Sequence, residues 1–200
     1  MKEYVQDKVQ VYYTSVGADF AGDGLGYITP EDIASAARYV QASDRALHLV
    51  SAYLKRKYVG RWTVDERGKP QSERVYFNVS HTDGLVCLAL ADQAVGVDAE
   101  VVRPVEDDLA RYALSEPEYA TWLAGTPFAT LWTAKESLVK AHGTGLCCHP
   151  GKIDALPVEG AKIYLGEVYY SRSVQLNGYV LCVTRRGAAP FSIELVCDVL

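Results

Sequence analysis

Helical segments give way to β-rich runs twice along this chain. Thr29-Pro30-Glu31-Asp32 supplies an N-cap, a proline at the first helical position and acids in the first turn, so a helix is predicted from there to about Gln41. Ser43-Asp44 opens a second helix. In it Leu47, Val50 and Leu54, with Leu49 and Tyr53 beside them, keep helical spacing up to a basic and solvated end, Lys55-Arg56-Lys57. A turn at Asp65-Glu66-Arg67-Gly68 precedes three neighbouring strands, Val75 to Val79, Leu85 to Leu90 and Val95 to Val101. The second half starts with a capping box, Ser115-Glu116-Pro117-Glu118, and a further helix from about Pro127 to His142 that Gly143 stops. Strands then return at Glu167 to Tyr170, Tyr179 to Thr184 and Phe191 to Val196, with Asn177-Gly178 as a hairpin turn. The halves echo in detail, Gly84-Leu85-Val86-Cys87-Leu88-Ala89 against Gly178-Tyr179-Val180-Leu181-Cys182-Val183. That is either the trace of a duplicated α+β lobe or a coincidence of two short runs. No low-complexity linker separates the halves, so two lobes would pack closely and leave a cleft as the default binding site.

Two hundred residues suit one domain or two lobes of about 100 residues each. The net charge of -5, with no basic run, lacks the electrostatic footprint of a nucleic-acid binder. No stretch approaches the roughly 18 apolar residues of a membrane helix, and Met1-Lys2-Glu3-Tyr4-Val5-Gln6-Asp7 lacks the apolar run of a signal peptide. A soluble, cytoplasmic protein without membrane partners is expected. Cys87, Cys147, Cys148, Cys182 and Cys197 are odd in number and fit no zinc spacing, so they read as buried small hydrophobes.

Three short segments carry chemistry. In Val95-Gly96-Val97-Asp98-Ala99-Glu100-Val101, strand alternation sends Val97, Ala99 and Val101 to one face and Asp98 with Glu100 to the other. Two hard carboxylates on a rigid strand suit magnesium, which completes its octahedron with water and substrate phosphate; solvated acids on an edge strand are the plainer reading. In Leu131-Trp132-Thr133-Ala134-Lys135-Glu136-Ser137-Leu138-Val139-Lys140, Trp132, Glu136 and Lys140 share a helix face. The plainer reading there is a surface ion pair beside a core tryptophan. Phe77-Asn78-Val79-Ser80-His81-Thr82-Asp83-Gly84 is a strand that empties into a polar turn.

In order and spacing these segments, preceded by Gly68-Lys69-Pro70, resemble the 4'-phosphopantetheinyl transferases, specifically the two-lobed type that activates peptide and polyketide synthetases. The resemblance is carried by residues 68 to 140. It implies an α+β pseudo-dimer of two similar lobes, residues 1–97 and 98–200, with coenzyme A in the cleft between them. It implies magnesium held by Asp98, Glu100 and Glu136, phosphate charge neutralised by Lys140, and nucleotide and phosphate contacts from Arg45, Lys69, Ser80 and His81. The implied reaction moves phosphopantetheine from coenzyme A to a serine of an apo acyl or peptidyl carrier protein and releases adenosine 3',5'-bisphosphate. Glu136 is the candidate base for the serine proton, although a carboxylate already bound to magnesium would be a poor one. Single-lobe relatives of about half this length work as trimers, whereas a chain supplying both lobes is expected to act as a monomer. The chain departs from the family on its first helix, where relatives often carry lysines for the 3'-phosphate of coenzyme A. Here Asp32 and Ser35 stand at those places, which leaves Arg38, Arg45 and His81 as candidates. Rival readings are a relative that binds coenzyme A without transfer, a metal-dependent phosphohydrolase, and an interaction domain with solvated acids.

Overall fold

A computed structural model describes residues 7–17, 20, 25–66 and 68–200. The readings of the segment 1–6 and of Arg67 in its turn lie outside them. The elements run β1 (Lys8–Ser15), α1 (Pro30–Ala36), α2 (Ala42–Leu54), β2 (Thr63–Val64), β3 (Pro70–Gln71), β4 (Tyr76–Thr82), β5 (Leu85–Ala91), β6 (Val95–Val101), α3 (Asp107–Ala113), α4 (Glu116–Leu123), α5 (Phe128–His142), β7 (Gly160–Tyr164), β8 (Glu167–Leu176), β9 (Tyr179–Arg186) and β10 (Ser192–Cys197). The fold is α+β. One sheet has the order β10-β1-β5-β4 and another β6-β9-β8-β7, with β2 and β3 forming a small ribbon. Only β1 and β10 pair in parallel within these sheets.

Side-chain alternation explains the layering. Along β5, Val86, Leu88 and Leu90 join Leu47, Val50, Tyr53 and Leu54 of α2, while Leu85, Cys87, Ala89 and Ala91 join Val95, Val97 and Ala99 of β6 and Leu181 and Val183 of β9. A strand buried on both faces reads as one apolar run, as Leu85–Ala91 does. On the far side Cys182 packs with Ala134, Leu138 and Ala141 of α5. The layers are therefore helix, sheet, sheet, helix, with α2 and α5 outermost.

A helix followed by a hairpin occurs in both halves: α2 then β4-β5, and α5 then β8-β9. The next strand then crosses over, β6 into the second sheet beside β9 and β10 into the first beside β1. Consequently the 97/98 boundary drawn on the sequence falls within β6, and a strand of the second half completes the first sheet. The echoing segments are β5 and β9, interior strands of their sheets, each entered through a glycine of positive φ.

Several expectations are corrected. The helix from Thr29 ends at Ala36, short of Gln41, and Arg45 Nη1 donates to the Tyr39 and Val40 carbonyls across the break at 2.9 and 2.8 Å. The basic run after α2 is a turn of π-helix, Lys55–Val59, whose cations are engaged and not merely solvated. Arg56 pairs with Asp32, Lys57 with Asp198, and Lys55 Nζ sits 5.0 Å from the centre of the Trp62 ring. Cys87 and Cys182 are buried, but Cys147, Cys148 and Cys197 are exposed, so burial does not account for all five. Among the described residues no helix is long and apolar enough to cross a membrane.

Candidate active site

The site forms where edge strands of the two sheets, β4 and β6, meet under α5. Strand β4 presents two faces: Phe77 and Val79 pack with the α2 cluster, and Asn78, Ser80 and Thr82 reach towards β6. The N–H of Val97 donates to Asn78 Oδ1 at 2.9 Å, Ser80 donates to Asp98 Oδ1 at 2.8 Å, and Thr82 donates to Glu100 Oε2 at 3.2 Å. Three alternate side chains of one strand thus take up three positions along the other. That rung pattern fixes the carboxylates of β6 in place.

The helix is brought in by a glycine. A Cβ on Gly96 would lie 2.0 Å from the Ser137 carbonyl oxygen and 2.4 Å from the Ala141 nitrogen, so only glycine lets α5 rest directly on β6. A buried hydroxyl chain secures the helix from beneath: Ser137 Oγ lies 2.8 Å from Thr184 Oγ1, which lies 2.7 Å from Ser171 Oγ. At that distance Lys140 Nζ donates to Asp98 Oδ1 at 2.6 Å and to Ser80 Oγ at 3.3 Å. The i, i+4 ion pair expected between Glu136 and Lys140 is replaced by this cross-element one. Trp132, Glu136 and Lys140 are each half-buried; Lys140 and Glu136 act on the Asp98 carboxylate or are acted on by it, while Trp132 stacks on Phe128.

Charge at the site is unbalanced. Asp98 is only 5 % exposed, and its Oδ2 is buried with no hydrogen-bond partner among the described residues. Burial raises the Glu100 carboxyl above the ordinary range, helped by Asp98 and opposed by Thr82, Arg103 and Lys140. Burial likewise raises Glu136, with Lys140 opposing and both Asp98 and Glu100 adding to the rise. Lys140 is the counter-charge: its own burial would lower its proton affinity, but the field and hydrogen bond of Asp98, with Glu136, raise it overall. Glu100 and Glu136, both raised by burial and by the neighbouring charge of Asp98, together with the buried Asp98 oxygen that has no partner among the described residues, are a donor set that suits a hard divalent cation. No group of three or more carboxylate, imidazole or thiol side chains among the described residues is already drawn together as a finished metal site.

Of the remaining sequence candidates, Ser80 belongs to this cluster, while His81, Lys69 and Arg45 make their contacts elsewhere. Ser80 and His81 leave β4 on opposite faces, Ser80 towards Asp98 and His81 on the side of Phe77 and Val79. Lys69 Nζ donates to the Lys140 and Ala141 carbonyls at 2.7 and 3.4 Å, where it caps the carboxyl end of α5. It borders a cavity of about 640 Å³ lined also by Asp65, Phe77, Val95 and His142, which does not contain the carboxylates. Arg45 holds the break between α1 and α2, as described above. Sequence reasoning missed Lys135, the neighbour of Glu136, which turns the other way. Wholly buried, it meets Glu118 at 2.7 Å and donates to the Ala113 and Pro150 carbonyls. Glu118 accepts from the Ser115 and Ala155 N–H groups, so the capping box and the motif lysine form one buried node. The capping box was legible; its partner was not.

Residues 94–184 match the family model described as the 4'-phosphopantetheinyl transferase superfamily. Among curated proteins, the chain is similar to the 4'-phosphopantetheinyl transferase Sfp of Bacillus subtilis (strain 168), 28% identical over 141 residues, which cover 61% of this chain and 63% of the relative. It is also similar to the 4'-phosphopantetheinyl transferase gsp of Aneurinibacillus migulanus, 32% identical over 127 residues, 54% of this chain and 53% of the relative. The match therefore spans less than two thirds of either relative's length.

Proposed function

We propose that this chain, which over residues 94–184 belongs to the 4'-phosphopantetheinyl transferase superfamily, transfers 4'-phosphopantetheine from coenzyme A to a serine of an apo acyl or peptidyl carrier protein. The observation that carries the proposal is Asp98: one oxygen is shared by Ser80 and Lys140, the other is buried without a hydrogen-bond partner among the described residues, and its charge acts on both Glu100 and Glu136. Asp98 and Glu100, with Glu136 opposite them, would hold magnesium. When bound, that ion supplies positive charge to the phosphate oxygens on which charge accumulates during transfer.

In this reading Lys140 also lends charge to the transferred phosphate, and the rungs from Ser80 and Thr82 keep the carboxylates from turning aside. The carrier serine oxygen bonds to the phosphorus bearing the pantetheine arm. The bond from that phosphorus to the departing phosphate oxygen breaks, and adenosine 3',5'-bisphosphate leaves with the bonding electrons. The serine proton needs an acceptor. Glu136, which accepts no hydrogen bond among the described residues, serves as that base when free of the metal and otherwise completes its ligand set. Lys69 acts indirectly here, by fixing the end of the helix that carries Lys140.

Between the two proposed lobes, 1–97 and 98–200, β6 straddles the boundary and β10 crosses back to the first sheet, and the site draws on both. Ser80 comes from one, Glu136 and Lys140 from the other, so a monomer supplies the whole cleft. Mass spectrometry of an apo carrier protein incubated with this chain, coenzyme A and magnesium tests the proposal. A gain of one phosphopantetheine supports it; consumption of coenzyme A with the carrier left unmodified would indicate a phosphohydrolase instead.

A further inference from the structure

The segment 143–149 joins two fastened points. At one end Lys69 Nζ donates to the Lys140 and Ala141 carbonyls beside Gly143, and at the other the Pro150 carbonyl accepts from Lys135 at 2.7 Å. Between them the chain is neither helix nor strand, and it turns through Gly143 and Gly145 at φ of +89° and +63°. It carries Cys147 and Cys148, adjacent in sequence and both exposed. The proposed transfer makes no use of either thiol.

The other cysteines are placed differently. Cys87 and Cys182 are wholly buried, and burial pushes the first up to about 12 and raises the second, so neither offers a thiolate to a reagent. Cys197 is exposed, but it closes β10 opposite Tyr13 and has no cysteine beside it in sequence. Cys147 and Cys148 share one neighbourhood, because both act on the Tyr164 hydroxyl; burial chiefly raises that group, Thr144 opposes, and the two cysteines add to the rise. The ring of His142, the last residue of α5, stands edge to face with Tyr164 at 5.3 Å. The pair therefore lies beside the end of the helix that carries Lys140.

An exposed thiol with a second one next to it suits disulfide exchange, in which one sulfur is captured and the other resolves the adduct. Here the resolving thiol belongs to the next residue, so no loop has to be closed. Consecutive Cα atoms are about 3.8 Å apart, short of the roughly 4.4–6.8 Å that a relaxed disulfide spans. A bond between such neighbours is readily reduced, which makes it a reversible mark and not a staple.

We propose that Cys147 and Cys148 form a reversible modification site for the disulfides of small thiols, and that closure of the pair loosens the last turn of α5. The thiolate of one cysteine attacks a sulfur of the small disulfide, forms a mixed disulfide and expels one small thiolate. The thiolate of the other then attacks the cysteine sulfur of that adduct and expels the second. Two protein thiols are oxidised to one disulfide, the reagent is reduced to two thiols, and the released thiolates take up the two protons. Because the peptide between the cysteines must twist as the ring closes, the distortion passes to Gly143, whose N–H donates to the Val139 carbonyl and ends the helix.

Glutathione disulfide is the probe, applied to the reduced chain freed of reductant, with intact mass and proteolytic maps followed in time; the reaction is independent of transfer. The wild type is expected to pass through an adduct of one glutathione and then to lose two hydrogen atoms, with the new bond between Cys147 and Cys148, and dithiothreitol should reverse it. Cys147→Ser and Cys148→Ser should each stop at a stable adduct on the remaining cysteine of the loop, and Cys197→Ser should leave the loop reaction unchanged. Hydrogen exchange over residues 136–143 is expected to quicken several-fold in the oxidised wild type and to return on reduction. A wild type that keeps both loop thiols, or that holds glutathione on them without losing two hydrogen atoms, overturns the site. Equal exchange in the two forms overturns its link to α5.

Discussion

Asp98 is where the charge of the site is concentrated, and its neighbours decide what each substitution does. Asp98→Asn keeps the shape and the contact with Ser80 but weakens the carboxylate set. Transfer is expected to fall at least about a hundredfold, the cost of losing one group that stabilises a developing charge. Thermal unfolding should show that the protein remains folded. Lys140→Met is expected to slow transfer by a similar factor, and it also strands the buried Asp98 carboxylate, so a stability loss larger than the few tenths of a kcal/mol of a surface pair should accompany it. Urea titration of both variants and of the double variant separates the terms, because the double variant removes the uncompensated charge. Lys135 has the opposite profile. Lys135→Met takes from Glu118 its ion-pair partner in a site with no solvent exposure, and about 3–5 kcal/mol of stability should be lost. A variant that unfolds at the wild-type urea concentration would remove Lys135 from a structural role. At this scale the sequence was legible in chemistry but not in direction. The pattern Lys135-Glu136-Ser137-Leu138-Val139-Lys140 declares two lysines, and only the depth of α5 tells which one faces the carboxylates.

Among the elements, the contact of α5 with β6 matters most, and it turns on Gly96. Gly96→Ala forces a methyl group against backbone that cannot rotate away, so α5 must shift; a loss of about 1–3 kcal/mol or more is expected, with slower transfer as Lys140 leaves Asp98. An unchanged urea midpoint would show that the helix has room to move. Helix α1 is tied to the turn after α2 by Asp32 and Arg56. Burial raises the Asp32 carboxyl, but Arg56 and the Thr29 N–H and hydroxyl outweigh it and hold it below the usual carboxylate range. A lowered value in the folded state means that the pair stabilises the protein above the ordinary carboxylate range and ceases to do so as pH falls through the folded value. The stability gap between wild type and Asp32→Asn should therefore be widest near pH 7 and close below about pH 3; a gap independent of pH would assign it to the capping hydrogen bonds. The capped helices, the hairpin at Asn177-Gly178 and the strands β4 to β6 could be read beforehand because their signals are local. Strand β1 alternates Val9 and Val11 with polar residues, yet its partners β5 and β10 are distant in the chain, and α3 is too short to announce itself.

For the whole molecule, the repeat of helix, hairpin and crossing strand places one edge of each sheet, β4 and β6, side by side. The order of helices and strands was visible in the sequence, and so was the echo between β5 and β9. The exchange of β6 and β10 was not, because local periodicity carries no information about which sheet a strand joins. The same limit applies to the cations: the run Lys55-Arg56-Lys57 looks like a solvated helix end, and only the tertiary packing brings its members to three different partners, Trp62 before β2, Asp32 of α1 and Asp198 after β10. The most direct measurement is the time course of carrier-protein mass on incubation with coenzyme A and magnesium, run in parallel for the wild type and Asp98→Asn. The account predicts a complete gain of one phosphopantetheine with the wild type and a rate at least about a hundredfold lower with the folded variant. A carrier that stays apo with the wild type, across acyl and peptidyl carriers alike, or an Asp98→Asn rate equal to the wild type's, would contradict it.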